Sequence, residues 1–354
     1  MKNEKNALII GYRDDRIAEH AKALEALRER GLVKKINILA SMVSPGIPVS
    51  SNEYPVPINY DSETQRASTE SGSDDPKRFS RYCTDIRKAI SQTASSLIFP
   101  TTDRAVIATA NVLSDRNSNS AILASCPDQP IVEVFQNKAS TYHFFNTHGI
   151  FRTPTHKTIT TSGLDSLSDE VLLSGTVTPY FAKPACPQSG GSIGADMVSN
   201  TEQLRALMAK NPQYSDYLIS EFLNGPEINH TVIINPNGSI ATQCTYEEIP
   251  NDDGKRQRIS IWNDELNDFG HRFGERLKAS FGALNFRGVY NADFLRNKSG
   301  KLVLSEINPG RFPACMGVFS QKGYNLIEPL LLATSGKSKR YQKDYVVGQN
   351  FNSK

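Results

Sequence analysis

Residues 286–311, FRGVYNADFLRNKSGKLVLSEINPGR, read as a β-hairpin. Two apolar, β-favouring runs, Gly288–Leu295 and Lys301–Ile307, flank the turn-forming run Asn297-Lys298-Ser299-Gly300. A two-residue loop at Ser299-Gly300 sets Asp293 directly opposite Glu306. A four-residue loop leaves the two on a diagonal of the same face. Strand alternation brings Asn308 to that face, with Leu295, Leu302 and Leu304 as its buried apolar part. Adjacent carboxylates repel unless a cation lies between them. An all-oxygen donor set suits Mg²⁺, which commonly takes one or two carboxylates plus substrate phosphates. Arg311, just past the second strand, would face the same phosphates. The plainer alternative is a pair of acids on a solvated sheet face.

Upstream, Leu266, Phe269, Phe273 and Leu277 carry the spacing of an amphipathic helix. Thr245–Arg258 is dense in both charges and is expected to be irregular. Its Lys255, Arg256 and Arg258 either meet an anionic ligand or lie in solvent. His230–Ile234 and Ser239–Tyr246 form a hairpin around Asn235-Pro236-Asn237-Gly238. Leu218–Leu223 is a strand running into Asn224-Gly225-Pro226-Glu227. Tyr180–Pro184 is another, with Lys183 among apolar neighbours. A buried lysine needs a partner, and a phosphate would serve. Gln188–Ala195, QSGGSIGA, is a glycine-rich loop whose backbone N–H groups can approach phosphate oxygens. It lacks the GK[ST] ending of a P-loop, and glycines also serve ordinary turns. Earlier still, Asn137 caps a helix carrying Phe144 and Phe145 that stops at Gly149. Lys138 then sits in the first turn against the helix dipole, a cost that a nearby anion would explain.

The chain opens with a βαβ unit: strand Ala7–Ile10, a helix with Ile17, Ala21, Leu24 and Leu27 inward, and strand Ile36–Ala40. That pattern implies a parallel sheet. GYRDD after the first strand is no dinucleotide fingerprint. Asp61–Asp75 is a polar surface loop. A helix with Phe79, Ile86 and Ile90 inward, a strand at Ser96–Phe99 and a helix capped by Thr101-Thr102-Asp103 complete a doubly wound unit ending near residue 125. Thr102, Asp103 and Arg104 follow the C-terminal end of a strand, where such sheets bind ligands; simple helix capping explains them equally well. A helix around Leu326–Leu332 precedes a polar tail.

The net charge of +3 makes no electrostatic case for nucleic acid. No apolar run is long enough to span a bilayer, and the apolar core near the N-terminus is too short for a signal peptide. The five cysteines are scattered without a CxxC pair, so free thiols in a reducing cytoplasm are expected.

Four separated elements together resemble the ATP-grasp superfamily: Asn137-Lys138, Lys183 with its glycine loop, Glu221–Glu227, and Asp293–Arg311. The resemblance implies an N-terminal doubly wound parallel α/β domain (1–125), then a two-lobed α+β ATP-grasp domain (126–336). Its lid would span about 151–222, its C-terminal lobe about 223–336, and its tail 337–354. It further implies that ATP binds through Lys138, Lys183, Gln188, Ser189, Gly190, Gly191 and Ser192. Glu221 and the backbone of Phe222 and Leu223 would meet adenine, and Glu227 the ribose. Mg²⁺, or alternatively Mn²⁺, would sit on Asp293, Glu306 and Asn308, with Arg311 and Lys183 acting on the transferred phosphoryl group. Many relatives have arginine directly after the Asn-Pro, whereas Gly310 intervenes here. The activity implied is a carboxylate–amine ligase working through an acyl phosphate on an amino acid or small peptide, with dimerisation possible. A small-molecule kinase, a carboxylating ligase and a non-catalytic nucleotide-binding module are the other readings. Thr102, Asp103, Tyr246, Arg256, Arg258, Met316 and Gly317 are candidates for choosing the substrates.

Overall fold

The computed structural model describes residues 5–11, 14–39, 76–114, 122–164, 168–169, 179–186, 194–235, 237–250, 256–259, 264–280, 287–313, 316 and 325–333. The first sheet is parallel, in the order β2-β1-β3-β4, from β1 (Lys5–Ile10), β2 (Val33–Leu39), β3 (Leu97–Pro100) and β4 (Leu123–Ala124). Helices α1 (Asp14–Glu29), α2 (Pro76–Thr93) and α3 (Asp103–Ser114) cover it. Alternation in β1 assigns the faces. Ala7 and Ile9 join the cluster of Ile17, Ala21, Leu24 and Leu27, while Leu8 and Ile10 join Ile86, Ile90 and Val106. The doubly wound unit expected from the sequence is therefore present.

Helices α4 (Gln129–Gln136) and α5 (Lys138–Thr147) follow, parted by Asn137, whose side chain accepts from Ser140 N at 3.0 Å. An antiparallel sheet in the order β5-β8-β6-β7 comprises β5 (His156–Thr160), β6 (Tyr180–Pro184), β7 (Asp196–Val198) and β8 (Asp216–Glu221). Helix α6 (Thr201–Lys210) buries Leu204 and Met208 against it.

The largest sheet runs β11-β10-β9-β12-β13. Its strands are β9 (Asn224–Ile234), β10 (Ile240–Pro250), β11 (Arg256–Ile259), β12 (Gly288–Arg296) and β13 (Leu302–Pro309). The stretch expected to be irregular, Thr245–Arg258, instead continues β10 to Pro250 and returns as β11. This register pairs Glu248 with Arg258 along the backbone ladder. One face of the sheet packs on α4, α5 and α7 (Asp264–Ser280), where Phe269 and Phe273 meet Phe294 edge-on at 4.9 and 5.0 Å. On the opposite face Ile233, Tyr246 and Val289 join the core of the first unit. Helix α8 (Ile327–Ala333) shares that core, and Arg30 grips Glu328 with bonds of 2.8 and 2.5 Å.

The β12–β13 turn is neither of the two loops weighed above. It is a three-residue loop, Lys298–Gly300, closed by Asn297 N to Lys301 O at 2.9 Å with Gly300 at φ +73°. That loop aligns Phe294 with Leu304 and would by itself set Asp293 against Ser305. A bulge at Ser305 adds one residue to β13, so Asp293 does face Glu306. The bulge also reverses the alternation. Leu302 and Leu304 pack with Phe294 on the far face, and only Leu295, half-buried, shares the side of the carboxylates. Their expected place on the carboxylate face was thus wrong by one bulge residue.

Candidate active site

The polar half of the large sheet builds the site. Thr231 Oγ1 donates to Asn291 Oδ1 at 2.8 Å, and Asn291 Nδ2 to Asp293 Oδ1 at 3.1 Å. Asn308 Nδ2 donates to both Asp293 Oδ2 and Glu306 Oε1, each at 3.2 Å. This ladder runs across β9, β12 and β13 because side chains of paired residues share a face. Asp293 is 8% exposed. Burial, then the Glu306 and Glu227 charges, hold its carboxyl well above the usual carboxylate range. Glu306 is held well below that range, first by the Lys138 ammonium, whose Nζ donates to Oε2 at 2.5 Å.

Helix α5 closes the edge of β13. Its N-terminus is tied to β6 by Lys138 N to Ala185 O at 2.8 Å, which aims Lys138 at Glu306. One turn on, Tyr142 donates its hydroxyl to Ser305 O, the carbonyl exposed by the bulge, at 2.6 Å. Lys183, 7% exposed on β6, donates to Tyr142 Oη and to Ser305 O, both at 3.2 Å. Burial, followed by the charge of Lys138, brings the Lys183 ammonium down to about 7. Lys138, Lys183, Asp293, Glu306 and Asn308, read from the sequence as one set, therefore converge from four elements, α5, β6, β12 and β13.

Arg311 joins them by a route the sequence hid. Gly310 takes φ +76°, a region glycine enters without penalty, and its Ser125-facing carbonyl accepts from Ser125 Oγ at 2.7 Å. A Cβ at 310 would lie 2.8 Å from Cys126 Cα, so the inserted glycine lets the chain press onto the first unit. The turn carries Arg311 back over the site. It donates to Asn308 Oδ1 and pairs with Asp103 Oδ1 at 3.1 Å.

Of the remaining candidates, Glu227 lies near enough for its charge to raise Asp293, and the others lie elsewhere or fall outside the described residues. Glu221 ends β8, and its Oε1 accepts from Thr155 N at 3.0 Å. Phe222 and Leu223 link β8 to β9, and Glu227 Oε1 accepts from Asn229 Nδ2 at 3.4 Å. Gln188, Ser189, Gly190, Gly191, Ser192, Lys255 and Gly317 lie outside the described residues. Arg256 and Arg258 are on β11, at the sheet edge. Thr102 does cap α3, accepting from Ala105 N at 3.3 Å. Tyr246 and Met316 are buried in the core. Sequence reading missed Tyr142, Asn291 and the Ser305 carbonyl. Tyr142 had a signal, since it follows Lys138 by one helical turn and so shares its face.

The donor set fits a hard divalent cation. Two carboxylates and a carboxamide oxygen share one sheet face, and the repulsion that raises Asp293 is what such an ion relieves. Here three N–H donors, from Asn291, Asn308 and Lys138, partly offset the two carboxylates.

A family model described as "D-ala D-ala ligase C-terminus" matches residues 154–316, a span that holds Lys183, Asp293, Glu306, Asn308 and Arg311 and omits Lys138 and Tyr142. D-alanine--D-alanine ligase A of Mesorhizobium japonicum is 28% identical over 143 residues, 37% of this chain and 40% of that protein. The chain thus aligns with well under half of that relative's length. Among solved structures, the biotin carboxylase domain of Hydrogenobacter thermophilus 2-oxoglutarate carboxylase, in complex with MgADP and bicarbonate, superposes with TM-score 0.66. The match is 14% identical over 96% of this chain and 71% of that one. An L-amino acid ligase from Bacillus licheniformis gives 0.60 at 15% identity, over 94% and 75%.

Proposed function

We propose, on the premise that this chain has the ATP-grasp fold, that it is an ATP-dependent carboxylate–amine ligase acting on an amino acid or small peptide. One observation carries the reading. Asp293, Glu306 and Asn308 form a single oxygen cluster, and Lys138, Lys183 and Arg311 surround it. The likeness to a D-alanine--D-alanine ligase and to an L-amino acid ligase supports the substrate class.

The chemistry follows from the charges. A substrate carboxylate oxygen attacks the γ-phosphorus of ATP, the bond to the β–γ bridging oxygen breaks, and ADP leaves. The resulting acyl phosphate is attacked at carbon by an amine, which forms the amide and releases phosphate and a proton. Asp293, Glu306 and Asn308 would hold Mg²⁺, or Mn²⁺ in its place, and such an ion neutralises charge on the transferring group. Lys138 and Lys183 bind phosphate oxygens, and Arg311 reaches the transferred phosphoryl group from the side of the first unit. The glycine-rich loop, with Gln188, Ser189, Gly190, Gly191 and Ser192, covers the phosphates and excludes water that would hydrolyse the acyl phosphate. Glu221, Phe222 and Leu223 contact adenine and Glu227 the ribose. We take residues 1–125 as the first domain and 126–336 as the ATP-binding one, in a cytoplasmic protein that forms a homodimer.

The test is phosphate release from Mg-ATP across amino acids, dipeptides and small carboxylates, with products weighed by mass spectrometry. A product equal to two substrates less water supports the ligase. A phosphorylated substrate as the end product points to a kinase, and binding without turnover on any substrate counts against both.

A further inference from the structure

Lys183 is buried, and among the described residues no carboxylate lies within ion-pair distance of its ammonium. Its polar contacts are Tyr142 Oη and Ser305 O, both at 3.2 Å, and the Tyr142 ring centroid is 5.6 Å from Nζ. An ammonium has three N–H donors. Two are spent on this pair, which leaves one that meets no acceptor among the described residues. Tyr142 is itself held on both sides. Its hydroxyl donates to Ser305 O at 2.6 Å, and its ring meets His156 edge-on at 4.9 Å. The arrangement exists only because the bulge frees the Ser305 carbonyl one residue before Glu306.

We propose that Tyr142 is a positioning residue: with the bulge carbonyl of Ser305 it fixes the Lys183 ammonium so that its remaining donor meets a nucleotide phosphate. This rests on the reading of the site as an ATP site. Tyr142 touches no reacting atom and acts through Lys183. It also links two strands that approach the site separately, since β6 brings Lys183 and β13 brings Glu306.

The experiment measures binding of Mg²⁺ with a non-hydrolysable ATP analogue, by calorimetry, to the full chain. Tyr142→Phe keeps the ring and deletes one hydroxyl. It is expected to weaken binding about ten-fold, the scale of one lost hydrogen bond to a charged group. Lys183→Met is expected to weaken it at least as much. In the double variant Tyr142→Phe should add nothing to Lys183→Met, because its effect runs through that ammonium. A purely structural role would give additive losses and would overturn the proposal, as would wild-type or tighter binding by Tyr142→Phe alone. Thermal melting of each variant identifies any that has not folded, and Tyr142→Leu and Lys183→Gln, which also delete the hydroxyl and the ammonium, replace a single variant that fails. Absence of nucleotide binding by the wild-type chain removes the ATP-site reading itself, and the inference with it.

Discussion

Asp103, at the start of α3, forms an ion pair with Arg311 at 3.1 Å, joining the C-terminal end of a parallel strand in the first unit to the oxygen cluster of the large sheet. Both side chains are mostly buried, at 11% and 17% exposure, so solvent screens the pair only partly. Asp103→Ala should leave the guanidinium with one fewer partner and lower stability by about 1–3 kcal/mol. It should also reduce turnover about ten-fold or more, as Arg311 loses its fixed position. Urea melts and steady-state rates measure the two effects separately.

Lys138 Nζ donates to Glu306 Oε2 at 2.5 Å. A divalent cation must compete with that ammonium, whereas nucleotide phosphates give it a new partner. Lys138→Met should therefore tighten Mn²⁺ binding in the absence of nucleotide by several-fold, as seen in titrations followed by electron spin resonance. The same variant should weaken binding of the nucleotide. Weaker binding of the metal alone would contradict this exchange of partners.

Glu306→Gln should cut ATP turnover at least a hundred-fold and leave circular dichroism unchanged, because the amide keeps the shape and loses the charge proposed to hold the cation. Retained turnover would remove Glu306 from the cation site.

Gly310→Ala meets two costs. The position requires φ +76°, and the added carbon would lie 2.7 Å from Cys126 Cβ. Together these should destabilise the chain by about 2–4 kcal/mol. Because Arg311 is the next residue, activity should fall further than stability alone explains. A variant that melts like the wild type would mean that the first unit yields to the new methyl group.

Acid should destabilise the fold through two buried histidines. His20 is buried, its Nδ1–H donates to Arg16 O at 2.8 Å, and burial brings the imidazole down to about 4. His230 is buried too and is brought down to about 3. The unfolded chain protonates both near 6.5. Below that pH the unfolded state binds more protons, so stability declines as pH drops from about 6.5 towards 4. It is flat above 7 as far as these residues are concerned. The slope expected is about 1 kcal/mol per pH unit for each histidine. Urea midpoints measured from pH 7.5 to 4.5 would reveal it, and His20→Gln should flatten the curve.

Much of this was written in the chain. The period-2 and helical patterns carried the parallel unit and the hairpins, because one face of each element is buried. Asp293 and Glu306 were paired correctly, although the loop between them has three residues and the register is restored by Ser305. A bulge leaves no mark in composition, so the reversed faces of Leu302 and Leu304 could not be read. Asp103 could be located at a strand end, yet its partner lies more than two hundred residues away in sequence and depends on a glycine turn. Thr245–Arg258 misled because a run dense in both charges suggests solvent, while strand pairing is made by the backbone ladder that β10 and β11 share.

The bulge and the glycine turn also set when the site can exist. Ser125 bonds to Gly310 across 185 residues and Lys138 to Glu306 across 168, while Arg30 reaches Glu328 across 298. Contacts this distant in sequence must overcome large loop-closure entropy before they return any stability, and they make folding slow. On a ribosome the first parallel unit can form early, but Glu306 has no ammonium partner and Gly310 no seat until nearly all of the described chain has emerged. The proposed nucleotide site should therefore mature last, and amide exchange in β13 should gain protection later in refolding than in β1.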